Sequence, residues 1–414
     1  MDYFVTRYDI DCPQDAQCAV LEDSIMHRNR RVTAGSKILE NFISPLDATV
    51  VTRLEAAGIC ILGKTKMDEF GISEMLLNSG LLLTNSESGI RNSEFCSGAV
   101  SAVVDGIASF ALCNDYTGAI SREAAARGVC YVHPTYGTVS RYGLIPAVPS
   151  MDQIGIICKT PEDGAYVLSI IAGHDPKDGA MFTETRAGRG ELKANGERLR
   201  IGIPVNAATN PADAASITEF TKNFETVDIE LKYPDVYAQV MQILCCAELS
   251  SNITRYDGIK FGYRAEGYKS LRELYTKSRT EALGEGAKLV SMIGSMVLAQ
   301  ENYTRYYDKA MRIRRLIKES LEFDKYDAII IPAYTEYGIR NSEFGMGGEG
   351  ETEDNGESCG TVSLKKAEVP SPCFLPGLCG LPAVTVPFNG GGLTLIADVN
   401  CENVLFSALE AVGK

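Results

Sequence analysis

The chain has 414 residues, 45% of them hydrophobic, and a formal net charge of −14. That is enough apolar material for a substantial core and the wrong sign for broad contact with a phosphate backbone, so direct nucleic-acid binding is not expected. The opening MDYFVTRYDIDCPQDAQ lacks the basic start and apolar run of a secretory signal, and no apolar stretch is long enough to cross a bilayer; a cytoplasmic protein is expected.

Thirteen cysteines are scattered without a CxxC pair or metal-ligand spacing, and the only histidines are His27, His133 and His174. Reduced, mostly buried thiols and no bound metal are the expectation.

In chain order, Ala48 to Ala57 reads as an amphipathic helix feeding a strand at Ile59 to Gly63. Val100 to Asp105 reads as a small-residue helix feeding a strand at Ile107 to Leu112. Helix Glu162 to Ala172, strand Arg200 to Val205 and helix Tyr237 to Asn252 follow, then two long helical stretches within Ser270 to Leu321. Tyr326 to Pro332, Ala383 to Phe388 and Leu393 to Val399 read as buried strands, and a closing helix begins at Glu402. Helices alternating with short apolar runs predict an α/β sheet, and no linker divides the chain into independent domains.

Gly345 to Gly360, GMGGEGETEDNGESCG, is rich in Gly and acidic residues, which bury too little apolar area to offset their ordering entropy. It reads as a mobile acidic loop over 345–360. The heptapeptide GIRNSEF stands at Gly89 to Phe95 and again at Gly338 to Phe344; the copies lie too far apart for a solenoid, and no physical account of the duplication follows from the sequence.

Several stretches carry a resemblance: TAGSKILENF (Thr33 to Phe42), DATVVTRLEAAGICILGKTKMDEF (Asp47 to Phe70), HPTYGTVSRYGLIPAVPSMDQIG (His133 to Gly155), AGHDPKDG (Ala172 to Gly179), SSNITRYDGIKFGYR (Ser250 to Arg264) and YDAIIIP (Tyr326 to Pro332). Together they resemble the amidase signature family and, within it, the A subunits of glutamyl-tRNA(Gln) amidotransferases. The resemblance implies a single domain over 1–414 with a shortened N-terminus, built on a large, mixed, twisted sheet covered by helices on both sides. It implies no cofactor.

Members of that family hydrolyse amides with a Ser-Ser-Lys arrangement: a serine nucleophile, a bridging serine after a cis peptide, and a lysine that accepts a proton. A hydroxyl is a poor nucleophile until a base takes its proton, and the oxyanion then needs backbone N–H donors. The family's lysine lies in a segment like AVKDNI, fifteen residues before the lysine of the TAGSK-type motif; counting back from Lys37 reaches Glu22. The bridging serine belongs to a GGSSGGS segment, matched here by SEFCSGA (Ser93 to Ala99), so Phe95 and Cys96 replace the serine pair. The nucleophile belongs to a DTGGSIRQPAS segment, matched by DYTGAISREAA (Asp115 to Ala125), which places Ala119 at the serine, or Ile120 if the alignment slides by one.

The oxyanion turn becomes Tyr116, Thr117 and Gly118, where added side-chain atoms restrict the backbone. The arginine-bearing EVKRR segment is matched by EGAKLV (Glu285 to Val290), and an expected aspartate falls at Pro370, so charged groups suited to an amino acid's two ends are missing. Phe95, Tyr116 and Leu83 are expected to fill the ancestral cleft with apolar bulk.

The reading is a catalytically inactive paralogue acting in binding, scaffolding or regulation, with amidotransferase A-, B- or C-type subunits as implied partners. The alternatives are an active glutamine-dependent amidotransferase or amidase chain that has recruited Cys96 or Ser121, and a small-molecule binding module that reuses the cleft.

Overall fold

The structure is a computed structural model that describes residues 3–10, 12–13, 16–72, 97–182, 198–206, 211–333 and 371–412. Leu83, Phe95, Cys96, Pro370, both GIRNSEF segments and the acidic 345–360 stretch lie outside the described residues.

The chain begins with β1 (Phe4–Arg7), β2 (Cys18–Glu22), α1 (Thr49–Ala56), β3 (Cys60–Thr65), α2 (Gly98–Val104), β4 (Phe110–Asn114), α3 (Ala119–Ala126), β5 (Cys130–His133) and β6 (Ile154–Cys158). It continues through α4 (Pro161–Ile171), β7 (Arg200–Pro204), α5 (Pro211–Thr221), β8 (Glu225–Ile229), α6 (Tyr237–Ile253), α7 (Leu271–Ala282) and α8 (Glu285–Leu298). It closes with α9 (Gln300–Tyr303), a π-helical turn Thr304–Asp308, α10 (Lys309–Glu319), β9 (Ala328–Pro332), α11 (Leu375–Cys379), β10 (Ala383–Phe388), β11 (Gly391–Ala397) and α12 (Glu402–Val412). Two long helical stretches are expected within Ser270 to Leu321, and the structure has three: α7, α8, and a run from α9 to α10 joined through the π turn. Extended backbone at Gly284 and at Ala299 separates them.

Among the described residues eleven strands form one sheet in the order β1-β3-β2-β4-β6-β5-β10-β11-β9-β7-β8. β3, β2 and β4 run parallel, as do β9, β7 and β8, while β4–β6, β6–β5, β5–β10, β10–β11 and β11–β9 pair antiparallel. The mixed α/β sheet expected from the sequence is therefore present.

Successive strand residues point to opposite faces, so strands apolar at every position must be covered on both sides. Ala19, Leu21, Phe110, Leu112, Ile154, Ile156, Ile330 and Leu395 join one core with Val50 and Leu54 of α1, Leu168 of α4 and Leu405 of α12. Their neighbours face the other way: Val20, Ala111 and Ile157 share a cluster with α2 and α3, while Ile329, Ile331 and Ile396 belong to the core that also holds residues of α6 and α8. Helix starts are set locally. Ser97 accepts from the Val100 N–H at α2, and Thr160 accepts from the Asp163 N–H at α4, where Pro161 occupies the first turn.

Candidate functional site

The parallel strands β3, β2 and β4 end together, and polar side chains gather at their carboxyl ends, the usual location of sites in α/β sheets. Glu22 closes β2, Lys64 lies on β3 and Asn114 closes β4. All three side chains are buried, Lys64 completely.

Glu22 is held by its Oε2, which accepts the Ser24 hydroxyl at 2.6 Å and the Asn114 backbone N–H at 3.0 Å. Lys64 donates its Nζ to the Glu22 carbonyl at 3.5 Å, and its charge is felt by the carboxyl groups of Asp23 and Glu22. Asn114 extends the network: its Nδ2 donates to Asp152 Oδ1 at 2.9 Å and its Oδ1 accepts from the Gln153 N–H at 3.0 Å. Asp152 also receives the N–H groups of Ala147 and Val148 at 3.0 and 2.9 Å.

Burial, which disfavours charge, pushes Glu22 up to about 7 against the hydrogen bonds from Ser24 and Asn114, and pushes Lys64 down to about 8 against Asp23 and Glu22. Burial raises Asp152 to about 6. For Glu22 the sign of the linkage is definite. The folded state keeps a proton that the unfolded chain releases near 4.5, so this group's contribution falls as pH rises from about 4.5 to about 7, by about 3 kcal/mol in all. Glu22→Gln is expected to remove that slope. Urea unfolding of both proteins at pH 5 and pH 7.5 checks it; equal pH dependence would refute the assignment to Glu22.

Ala119 is the first residue of α3 and follows Gly118, whose φ of 77° is the left-handed conformation glycine tolerates best. Asp115 accepts the Ser121 N–H at 2.9 Å, closing the helix start with a carboxylate. Thr117 offers its carbonyl to Arg122 Nη1 at 3.3 Å. Tyr116 turns into the core, where its hydroxyl donates to the carbonyls of Phe70 and Gly71 at 2.9 and 2.8 Å. Phe70 adopts φ 51° and Gly71 φ 69°, so the phenol braces a turn that is unfavourable for a bulky residue.

Ser121 lines a cavity of about 20 Å³ with Asp115, Arg122, His133, Cys373 and Thr394, room for about one water. Its hydroxyl donates to the Gly118 carbonyl at 2.8 Å, and burial pushes His133 down to about 4, leaving it neutral. In the EGAKLV segment Val290 is buried in the core of α6 and α8, and Lys288 donates to the Thr280 carbonyl at 2.7 Å.

The structure thus brings Glu22 together with Asn114, and Tyr116 to Gly118 together with Ala119 and Ser121. Sequence reasoning assigns nothing to Lys64, Asn114 or Asp152. A lysine flanked by strand residues in ILGKT is the available signal for the first.

This sheet and helix arrangement is that of known amidases. The structure of the A subunit of glutamyl-tRNA(Gln) amidotransferase from Thermotoga maritima superposes with a TM-score of 0.67 at 24% identity, covering 99% of this chain and 86% of that one. Native peptide amidase from Stenotrophomonas maltophilia gives 0.68 at 24% identity, covering 96% and 82%. The amidase family pattern matches residues 19–374, and the chain belongs to the amidase family.

Within the family it is similar to the A subunits of glutamyl-tRNA(Gln) amidotransferases. That of Lachnoclostridium phytofermentans is 38% identical over 339 residues, 78% of this chain and 68% of the relative, and that of an Acinetobacter baumannii strain is 34% identical over 411 residues, 93% and 80%.

Proposed function

We propose that this chain is a catalytically inactive amidase-family relative of the amidotransferase A subunits, retained to bind or regulate other proteins. The observation that carries the reading is the state of Glu22. If it stands at the family lysine, the position holds a buried carboxyl whose Oε2 is already bound by Ser24 and Asn114, so no neutral amine is available there to accept a serine proton. Ala119 at the start of α3 supplies only a methyl where a hydroxyl nucleophile would stand, and the Ser121 proton is engaged by Gly118. Removing nucleophile and base together leaves only residual positioning effects.

Amidotransferase B- and C-type subunits, or an intact A-type one, are the partners this reading favours, on the strength of similarity to the A subunits. The chain incubated with glutamine, by itself and with those proteins, is expected to release no ammonia above a heat-treated control. Tagged in its host, it is expected to bring one of them down stoichiometrically. Glutamine-dependent release abolished by Cys96→Ala or Ser121→Ala would replace this reading with the active one.

A further inference from the structure

Among the described residues, most cysteines are buried in the cores: Cys113, Cys130, Cys158, Cys245, Cys246, Cys373 and Cys379 are enclosed, and burial raises the thiols of Cys130, Cys246 and Cys379 to about 12, about 12 and about 11. Such thiols are poor nucleophiles. Three others are partly exposed and meet at one place. Cys18 opens β2 and Cys60 opens β3, and the two are direct partners in the parallel ladder. Cys12, from the connection between β1 and β2, brings its Sγ to 3.6 Å from Cys18 Sγ and shares a hydrogen bond with the Cys60 thiol.

We propose that Cys12, Cys18 and Cys60 form a thiol–disulfide site in which Cys12 is the attacking sulfur and Cys18 or Cys60 the resolving one. Two features carry it. Cys12 touches both neighbours, so a Cys12 thiolate can accept S–H hydrogen bonds from two donors, which stabilises the charged form. The Cys12 and Cys18 sulfurs are already in contact, and a disulfide between them requires the 3.6 Å separation to close to about 2.05 Å.

With a hydroperoxide as oxidant the step balances. The Cys12 thiolate attacks the distal oxygen, the O–O bond breaks, and the departing oxygen takes a proton to leave water, or an alcohol from an organic peroxide. The resulting sulfenic acid is attacked by the second thiol, whose sulfur forms the S–S bond while its proton leaves with the sulfenic oxygen as water. Two thiols are oxidised and one peroxide is reduced. The product ties the β1–β2 connection to the β2–β3 end of the sheet.

The test uses the native full chain, titrated with hydrogen peroxide, quenched with N-ethylmaleimide and mapped without reduction. The expected result is a Cys12 peptide joined to the Cys18 or Cys60 peptide, two fewer alkylated thiols, reversal by dithiothreitol, and a more than tenfold slower first oxidation in Cys12→Ser. Cys401→Ser, which removes a partly exposed thiol elsewhere, is expected to oxidise as wild type. A Cys12 that stays alkylated while other cysteines oxidise, or a Cys12→Ser protein oxidised at the wild-type rate, would overturn the proposal.

Discussion

Lys64→Met is expected to lower unfolding stability by about 3–5 kcal/mol at pH 7.5, because breaking a buried ion cluster leaves its remaining charges uncompensated. Methionine keeps the length of the stem but removes the cation that interacts with Glu22 and Asp23. The cost should shrink at pH 5.5, where Glu22, titrating at about 7, is already protonated. The double variant Glu22→Gln, Lys64→Met should recover part of the loss at pH 7.5. Chemical denaturation of the four proteins at both pH values forms the cycle. Strict additivity and a pH-independent cost would mean that Lys64 contributes packing alone.

A second large effect is expected where α6 and α8 cross. A Cβ placed on Gly294 would lie 2.1 Å from the Cys246 carbonyl oxygen and 2.3 Å from Ser250 Oγ. The first of these atoms is helix backbone and cannot rotate away. Gly294→Val should therefore push the helices apart across the core that holds Leu244, Val290 and Ile331, costing about 3 kcal/mol or more. Gly179→Ala, with nothing within 4 Å of its added carbon, should change stability by less than about 0.5 kcal/mol. Thermal unfolding of the pair separates the two cases, and equal melting temperatures would show that the crossing can relax.

Where strands are apolar throughout, the sequence shows them: β9 and β10 fall within the expected runs, and β4 overlaps the strand expected at Ile107 to Leu112 but begins at Phe110 and extends to Asn114. β1 and β2 do not. FVTR has four residues at a sheet edge, and CAVLE ends in a carboxylate that its charge assigns to solvent although it is buried. Lys64 misleads in the same way, since charge predicts exposure until a partner across the sheet is known.

Glu22 and Ala119 are reachable by counting along motifs, and the structure places them at the end of β2 and the start of α3. That Asn114 donates its backbone N–H to Glu22, or that Cys12, Cys18 and Cys60 adjoin, depends on strand register across long separations, which neither periodicity nor spacing encodes.

The position of β10 and β11 has a consequence for how the protein is made. Among the described residues they follow every other strand of the sheet along the chain, yet they sit inside it, between β5 and β9. Until they leave the ribosome, a nascent chain carries two open edges, at Tyr131 to His133 and at Ala328 to Pro332, each lined with apolar side chains and unpaired backbone groups. Synthesis must pass Ala397 before the halves of the sheet can join through both strands, so a chain stopped ahead of that point is expected to keep two unpaired apolar edges and to aggregate.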